Sequence, residues 1–308
     1  MSKTCIEVKD LQKSYGSVKA VDGISFKVEK GTIFGMLGPN GAGKSTTIEN
    51  LIGLQKRDQG EISIMNLDPA EDMEEIRHKI GVQLQTPALF SKLKVLELVL
   101  LFASFYVNPM EAEEVISMLG LESKKNEMTE TLSGGQRHRL AVALAVVSNG
   151  DIIFLDEPTT GLDPQSRRQL WDLILELKER GKTIYLTTHY MDEAERLCDN
   201  LVIVDHGKVI ARGRPEDLIK QHFQEDAIEF RNTAFSSEEL EGIGELSEVS
   251  KMNIAKEKKI ILYSKNASQT ISDLMAYGQN LNKRVEGIEL RKASLEDLFL
   301  KLTGREIR

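Results

Sequence analysis

The sequence predicts an α/β domain built on a mainly parallel sheet, followed by a small α+β domain. Three observations lead there. Over the first two thirds of the 308 residues, short apolar runs alternate with amphipathic helix-like segments, the pattern of a parallel sheet with helices on its faces. One apolar run, Ile33 to Leu37, leads straight into a glycine-rich turn that opens a helix. Beyond Gly213-Arg214-Pro215 the composition shifts to acidic helix-like stretches between short strands.

Taken in order, the strand at Ile33 to Leu37 is followed by a helix from Lys44 to Ile52. Ile80 to Leu84 reads as a strand, and Ile152 to Leu155 as a buried one. Gln165 to Arg180 is a helix, because Leu170, Leu173, Ile174 and Leu177 recur at helical spacing and Gly181 ends it. Thr183 to Thr187 is the next strand, and Val202 to Asp205 pairs with Val209 to Ala211 around His206-Gly207. In such sheets ligands bind beyond the C-terminal ends of the strands. A helix from Glu216 to Phe223 leads out of the first domain. Strands then fall at Ala227 to Phe230, Val249 to Ile254, Ile260 to Tyr263 and Val285 to Leu290, with helices at Ser236 to Ile243 and Ser268 to Tyr277. The order β-α-β-β-α-β resembles a small ferredoxin-like module. A last helix, Leu295 to Leu302, carries Leu295, Leu298, Phe299 and Leu302 on one face, which reads as core packing, with contact to a twin molecule as the alternative.

Composition narrows the partners. A formal net charge of -8 argues against nucleic acid, whose phosphates need a basic surface. The two cysteines, Cys5 and Cys198, lie far apart without metal-like spacing and read as buried thiols in a reducing compartment. The N-terminal segment MSKTCIEVKD has no apolar core and does not read as a signal peptide. The longest greasy stretch, Val95 to Val107, is broken by Glu97, too short to span a bilayer, and is expected to be a buried helix. The chain is therefore expected in the cytoplasm, reaching a membrane only through a partner.

Gly38-Pro39-Asn40-Gly41-Ala42-Gly43-Lys44-Ser45 fits G-x-x-x-x-G-K-[ST] at every fixed position, with a strand before it and a helix after it. Glycines let backbone N–H groups turn in around phosphate oxygens, and the helix N-terminus adds its positive dipole end. Lys44 supplies a point charge to the β- and γ-phosphates, Ser45 a hydroxyl to Mg²⁺, and Thr46 a contact to the α-phosphate. The pattern implies a bound nucleoside triphosphate. The Ile152 strand ends in Asp156 and Glu157, two carboxylates that are costly together unless a cation sits beside them. Asp156 fits a Mg²⁺ ligand acting through water, and Glu157 a general base that takes the proton of the attacking water.

At Leu132-Ser133-Gly134-Gly135-Gln136 the sequence resembles the signature of the ABC ATPase family, in the family's position shortly before the Asp156 strand. Physically, Ser133 caps a helix and the paired glycines expose N–H groups at its start, a second phosphate clamp. In the family this clamp closes on the γ-phosphate held by another protomer. The remaining elements follow in order. Tyr15 matches the aromatic that stacks on adenine, and Gln85 the loop glutamine that touches Mg²⁺ and the attacking water. Thr86 to Lys92 falls where the family contacts its membrane subunit. Gly161-Leu162-Asp163-Pro164 resembles the D-loop that crosses the dimer interface, with Asp163 also a good helix N-cap, and His189 matches the switch histidine on the γ-phosphate. No role attaches to His78, His138, His206 or His222.

The resemblance spans about Ile6 to Ile219, and no catalytic element departs from it. It implies a P-loop NTPase domain, residues 1–222, with a mainly parallel core, an antiparallel N-terminal β portion and a helical subdomain, then an accessory α+β domain, 223–308. The run Thr187-Thr188-His189-Tyr190-Met191-Asp192-Glu193-Ala194-Glu195 and the closing Leu295-Glu296-Asp297-Leu298-Phe299 are similar to export ATPases of the daunorubicin-resistance type, whose ABC-2 permease is a separate chain. The implied assembly is a homodimer, or a heterodimer with a related ATPase, on the cytoplasmic face of a separate transmembrane permease, driven by ATP and Mg²⁺. An importer ATPase, or a soluble ABC ATPase acting on ribosomes, DNA or an assembly complex, is the alternative.

Overall fold

The computed structural model describes residues 4–85, 89–223, 225–254 and 259–304. They divide into two compact units between Pro215 and Glu216. The first begins with two long strands, β1 (Thr4–Tyr15) and β2 (Val18–Glu29), which with β4 (Gln59–Ile64) form an antiparallel sheet ordered β2-β1-β4. Between them come β3 (Ile33–Leu37) and helix α1 (Lys44–Leu51). After α2 (Met73–Arg77), β5 (Ile80–Gln83) joins a second sheet ordered β5-β6-β7-β3-β8-β9, with β6 at Ile152–Asp156, β7 at Thr183–Thr188, β8 at Asn200–Asp205 and β9 at Lys208–Gly213. Its neighbours are parallel except for β8 and β9, an antiparallel pair.

Strands buried on both faces need no alternation, which is why β3 (IFGML) and β6 (IIFLD) are continuous apolar runs and every residue of each is buried. One core lies between the two sheets and includes Ile6, Val8, Ile48, Leu51 and Phe154. Phe26 stacks on Phe34 at 5.1 Å, and Tyr185 packs against both Phe34 at 5.7 Å and Phe154 at 5.5 Å. The remaining helices of this unit are α3 (Val95–Ala103), α4 (Ala112–Met118), α5 (Gly134–Val146), α6 (Pro164–Glu179) and α7 (Met191–Leu197). Leu170, Ile174 and Leu177 of α6 are buried, as their spacing predicts.

The expectation of a buried helix at Val95 to Val107 is corrected. Helix α3 ends at Ala103 and buries only Val95, Leu98 and Val99, while Leu100, Phe105 and Val107 are 52%, 60% and 76% exposed. The apolar residues run around the helix, and one side of it has no cover within this unit.

The division falls at the first residue of α8 (Pro215–His222), ahead of the 222/223 boundary expected from the sequence. The end of α8 explains this: Phe223 packs on Tyr263 at 5.3 Å, and Lys301 Nζ donates to the His222 carbonyl. Strands β10 (Asp226–Arg231), β11 (Val249–Ile254), β12 (Lys259–Ser264) and β13 (Glu286–Lys292) form an antiparallel sheet ordered β11-β12-β10-β13. With α9 (Ser237–Gly244) after β10 and α10 (Ala267–Asn280) after β12, this is the ferredoxin-like arrangement. Ile228, Phe230, Leu240, Ile260, Leu262 and Leu274 form its core.

Helix α11 (Leu295–Thr303) buries Leu295, Leu298 and Phe299, whereas Leu302 is 36% exposed and leaves the expected apolar face. A buried polar group fixes α11. Asp297 Oδ1 accepts from Tyr263 Oη at 2.5 Å and from Arg291 at 3.0 Å, and Oδ2 from Arg291 at 2.5 Å. Burial raises the Asp297 carboxyl pKa, but Arg291, Tyr263 and Ser294 outweigh it and hold the group below the usual carboxylate range. A depressed carboxylate stabilises the fold above its unfolded pKa, about 4, and loses that contribution as pH falls through the folded value. Arg291→Met leaves the carboxylate buried and uncompensated. It is expected to lower the urea-unfolding stability by about 3 kcal/mol at neutral pH, with the difference from the parent shrinking below about pH 4, as read by far-UV circular dichroism.

Candidate functional site

The site lies at the C-terminal ends of β3, β6 and β7, neighbours in the parallel sheet. The turn from β3 into α1 contains Gly43, whose φ of 101° is left-handed and where a Cβ would lie 2.3 Å from the Ala20 carbonyl oxygen. Only glycine fits there. The turn delivers Lys44, 4% exposed, into the interior. Its Nζ donates to the carbonyls of Gly38 at 2.9 Å and Pro39 at 3.1 Å, and pairs with Glu157 Oε1 at 3.0 Å.

Glu157 Oε1 meets Lys44, and its Oε2 gathers three further groups: Gln85 Nε2 at 3.2 Å, Thr160 Oγ1 at 3.1 Å and His189 Nδ1 at 3.2 Å. The His189 contact, with the Lys44 charge, lowers the Glu157 pKa to about 2 against the opposing effect of burial. Glu157 holds a backbone φ of 48°, a left-handed conformation that costs a non-glycine residue of order 1–3 kcal/mol. Its N–H is fixed by both the Thr187 carbonyl at 3.2 Å and Thr187 Oγ1 at 3.0 Å. In this conformation the carboxylate meets both Lys44 and His189.

Asp156, 3% exposed, accepts on Oδ1 from Thr187 Oγ1 at 2.5 Å and from Ser45 Oγ at 3.4 Å. Burial pushes its carboxyl up, and the two hydroxyls pull it partly back. Thr46 follows Ser45 on α1, half-buried, and Asn40 and Gly41 at the mouth of the turn are exposed. Lys44, Ser45, Gln85, Asp156, Glu157 and His189 are thus brought together.

The other expected residues stand elsewhere. Ser133 caps α5 in a reciprocal box: Gln136 N–H donates to Ser133 Oγ at 3.3 Å, and Ser133 N–H to Gln136 Oε1 at 2.9 Å. Gly134 and Gly135 form the first turn of α5. Asp163 caps α6, with Oδ1 accepting from the N–H groups of Gln165 and Ser166 at 3.0 Å each, and Oδ2 from Ser166 Oγ at 2.6 Å. A Cβ on Gly135 would lie 2.6 Å from Ser166 Oγ, so the two capped helix starts are neighbours. Tyr15 is 46% exposed at the end of β1, with Lys13 Nζ 5.6 Å from its ring centre. Of the segment Thr86 to Lys92, residues 86–88 lie outside the described residues.

A family model described as "ABC transporter" matches residues 21–160. Over its whole length the chain is 38% identical to the Nod factor export ATP-binding protein I of Burkholderia thailandensis, with 100% of both chains covered. The chain belongs to the ABC transporter ATPases. The Nod factor export ATP-binding protein I of Rhizobium etli is 37% identical, covering 100% of this chain and 96% of its own. Among solved structures, a dimeric ATP-binding cassette in a post-hydrolysis state bound to ADP and Pi is 30% identical, with a TM-score of 0.63 over 68% of this chain and 98% of that one. This chain is the ATP-binding and hydrolysing subunit of a transporter, a family whose cassettes pair and work with a membrane partner. The relatives are transporter ATPases, not soluble ABC ATPases acting on ribosomes or DNA.

The sequence reading missed two supporting groups. Thr160 donates to Glu157, and Thr187 bridges Asp156 to the Glu157 backbone. Both are side-chain hydroxyls at strand or loop ends, and the one available signal is that Thr187 immediately precedes the Thr188-His189 pair. Thr187→Val keeps the volume and removes both hydroxyl bonds. It is expected to cost about 2 kcal/mol of stability and about tenfold in ATP turnover, measured by urea unfolding and phosphate release.

Proposed function

We propose that this chain powers an exporter whose membrane-spanning component is a separate chain, and that two copies, or this chain and a related ATPase, close head to tail on Mg-ATP. The observation that carries the chemistry is the convergence of Lys44, Gln85 and His189 on Glu157. These are donors suited to a γ-phosphate and its attacking water. A triphosphate in the β3–α1 turn takes Lys44 and His189 for its own oxygens, which frees the Glu157 carboxylate to accept a proton from water. Gln85 orients that water. Tyr15 stacks on the base, and Ser133, Gly134, Gly135 and Gln136 close on the γ-phosphate of the opposite protomer, with Asp163 beside them.

The Ser45 hydroxyl and the Asp156 carboxylate, 3.4 Å apart, are hard oxygen donors that fit Mg²⁺, and the Gln85 amide oxygen is a third donor of the same kind. Such donors leave the remaining positions of the ion to substrate phosphates and water. When bound, the ion neutralises phosphate charge.

Export rests on the names of the full-length relatives. Docking on a membrane partner is supported by an apolar groove of about 600 Å³, whose lining includes Leu54, Met73, Val82, Leu84, Phe105 and Tyr106 beside Glu74, Arg77 and His78. Leu54, Leu84 and Phe105 are 58%, 38% and 60% exposed. A partner segment seated there would press on Leu84, one residue from Gln85 and so from Glu157. Among the described residues no helix is long and apolar enough to cross a membrane.

Glu157→Gln is expected to lower ATP turnover by at least about 10²-fold while Mg-ATP holds it as a dimer, read by phosphate release and light scattering. Normal turnover in that variant would remove Glu157 as the base. The same variant, tagged and solubilised from membranes with ATP, is expected to bring down a polytopic permease, and ribosomal or only soluble partners would refute the transporter docking. Phe105→Asp is expected to abolish that co-purification with stability within about 0.5 kcal/mol of the parent, because the side chain is exposed.

A further inference from the structure

A third acid lies behind the site, and the chemistry above leaves it unused. Glu193, in the first turn of α7, is 0% exposed. Its Oε1 accepts hydrogen bonds from Thr159 Oγ1 at 2.8 Å and from Trp171 Nε1 at 2.9 Å. Its Oε2 makes no hydrogen bond of ordinary geometry among the described residues, though the Thr188 hydroxyl lies close enough to act on the carboxyl. Burial pushes its carboxyl above the ordinary range. A buried acid satisfied on one oxygen carries a desolvation cost that an apolar side chain of the same volume avoids. Space-filling therefore does not account for a glutamate here.

Its two donors are informative by their place in the chain. Thr159 lies two residues beyond Glu157, and its neighbour Thr160 donates to the Glu157 carboxylate at 3.1 Å. Trp171 stands on α6, the helix that Asp163 caps. Glu193 itself stands on α7, which begins two residues beyond His189. One carboxyl oxygen thus joins the segment carrying Glu157, the segment carrying His189 and the helix behind both. Arg167 reinforces the same seam, 5.1 Å from the Tyr190 ring centre and 3.5 Å from Asp192.

We propose that Glu193 is a positioning residue for ATP hydrolysis, which through Thr159 and Trp171 fixes the registry between Glu157 and His189. It touches neither nucleotide nor water. The proposal rests on the reading of Glu157 as base and His189 as γ-phosphate ligand. Those two side chains meet at 3.2 Å, and a misplacement of about 1 Å in such a constellation can cost about 10²-fold in rate.

The test is steady-state ATP turnover of the full chain, with kcat, KM and thermal midpoint for Glu193→Gln, Glu193→Ala, Thr159→Val and Trp171→Phe beside Glu157→Gln. Glutamine offers a carbonyl oxygen to the same two donors. Glu193→Gln is expected to stay within about threefold of the parent kcat, and Glu193→Ala to lose about tenfold or more with KM changed by less than about twofold. Thr159→Val should lower kcat and add little to Glu193→Ala, since both break one link. Parent-like kcat in Glu193→Ala, or Glu193→Gln as impaired as Glu193→Ala, overturns the proposal. If Glu193→Ala does not fold, parent-like kcat in both Thr159→Val and Trp171→Phe overturns it. An inactive Glu157→Gln beside a parent-like Glu193→Ala sinks the positioning role alone, whereas an active Glu157→Gln sinks the reading beneath it as well.

Discussion

The Lys44 ammonium and the Glu157 carboxylate meet at 3.0 Å with side chains 3% and 4% exposed, and this buried pair constrains everything around it. Two charges removed from water at that distance are tolerable only if every remaining proton and lone pair finds a partner. Lys44 therefore needs the Gly38 and Pro39 carbonyls, which requires the tight turn, which requires glycine at position 43. Glu157 needs Gln85, Thr160 and His189, which come from the end of β5, the loop after β6 and the end of β7. The strand order β5-β6-β7-β3 is the arrangement that brings those ends to one place. Fold and site express the same electrostatic requirement. On the proposed reading, a triphosphate would meet donors already organised around a carboxylate, and its binding would exchange one anion for another.

The features legible in the sequence are those whose chemistry is local. The turn from Gly38 to Ser45, the caps at Ser133 and Asp163, and the buried runs of β3 and β6 each follow from residues adjacent in the chain. The ferredoxin-like order of the second unit was legible for the same reason, since turn signals separate its elements. Two kinds of information were not legible. Helix α3 has the composition of a buried helix, yet its Leu100 and Leu101 are exposed, because apolarity in sequence does not record what covers a side chain. The hydroxyls of Thr159, Thr160 and Thr187 matter only through bonds across 3 to 34 residues of sequence, and a threonine at a strand end carries no mark of that. The end of α8 likewise belongs to the second unit through Phe223 and His222, contacts that no local pattern announces.

The groove beside α3 has a consequence for the life of the chain before it reaches a partner. Leu54, Phe90, Leu100, Phe105 and Val107 all stand in solvent, and exposed apolar surface is a liability for aggregation until something covers it. A partner seated over these side chains, as proposed above, would remove that liability, so the free subunit would be less soluble than the assembled one although its core is closed.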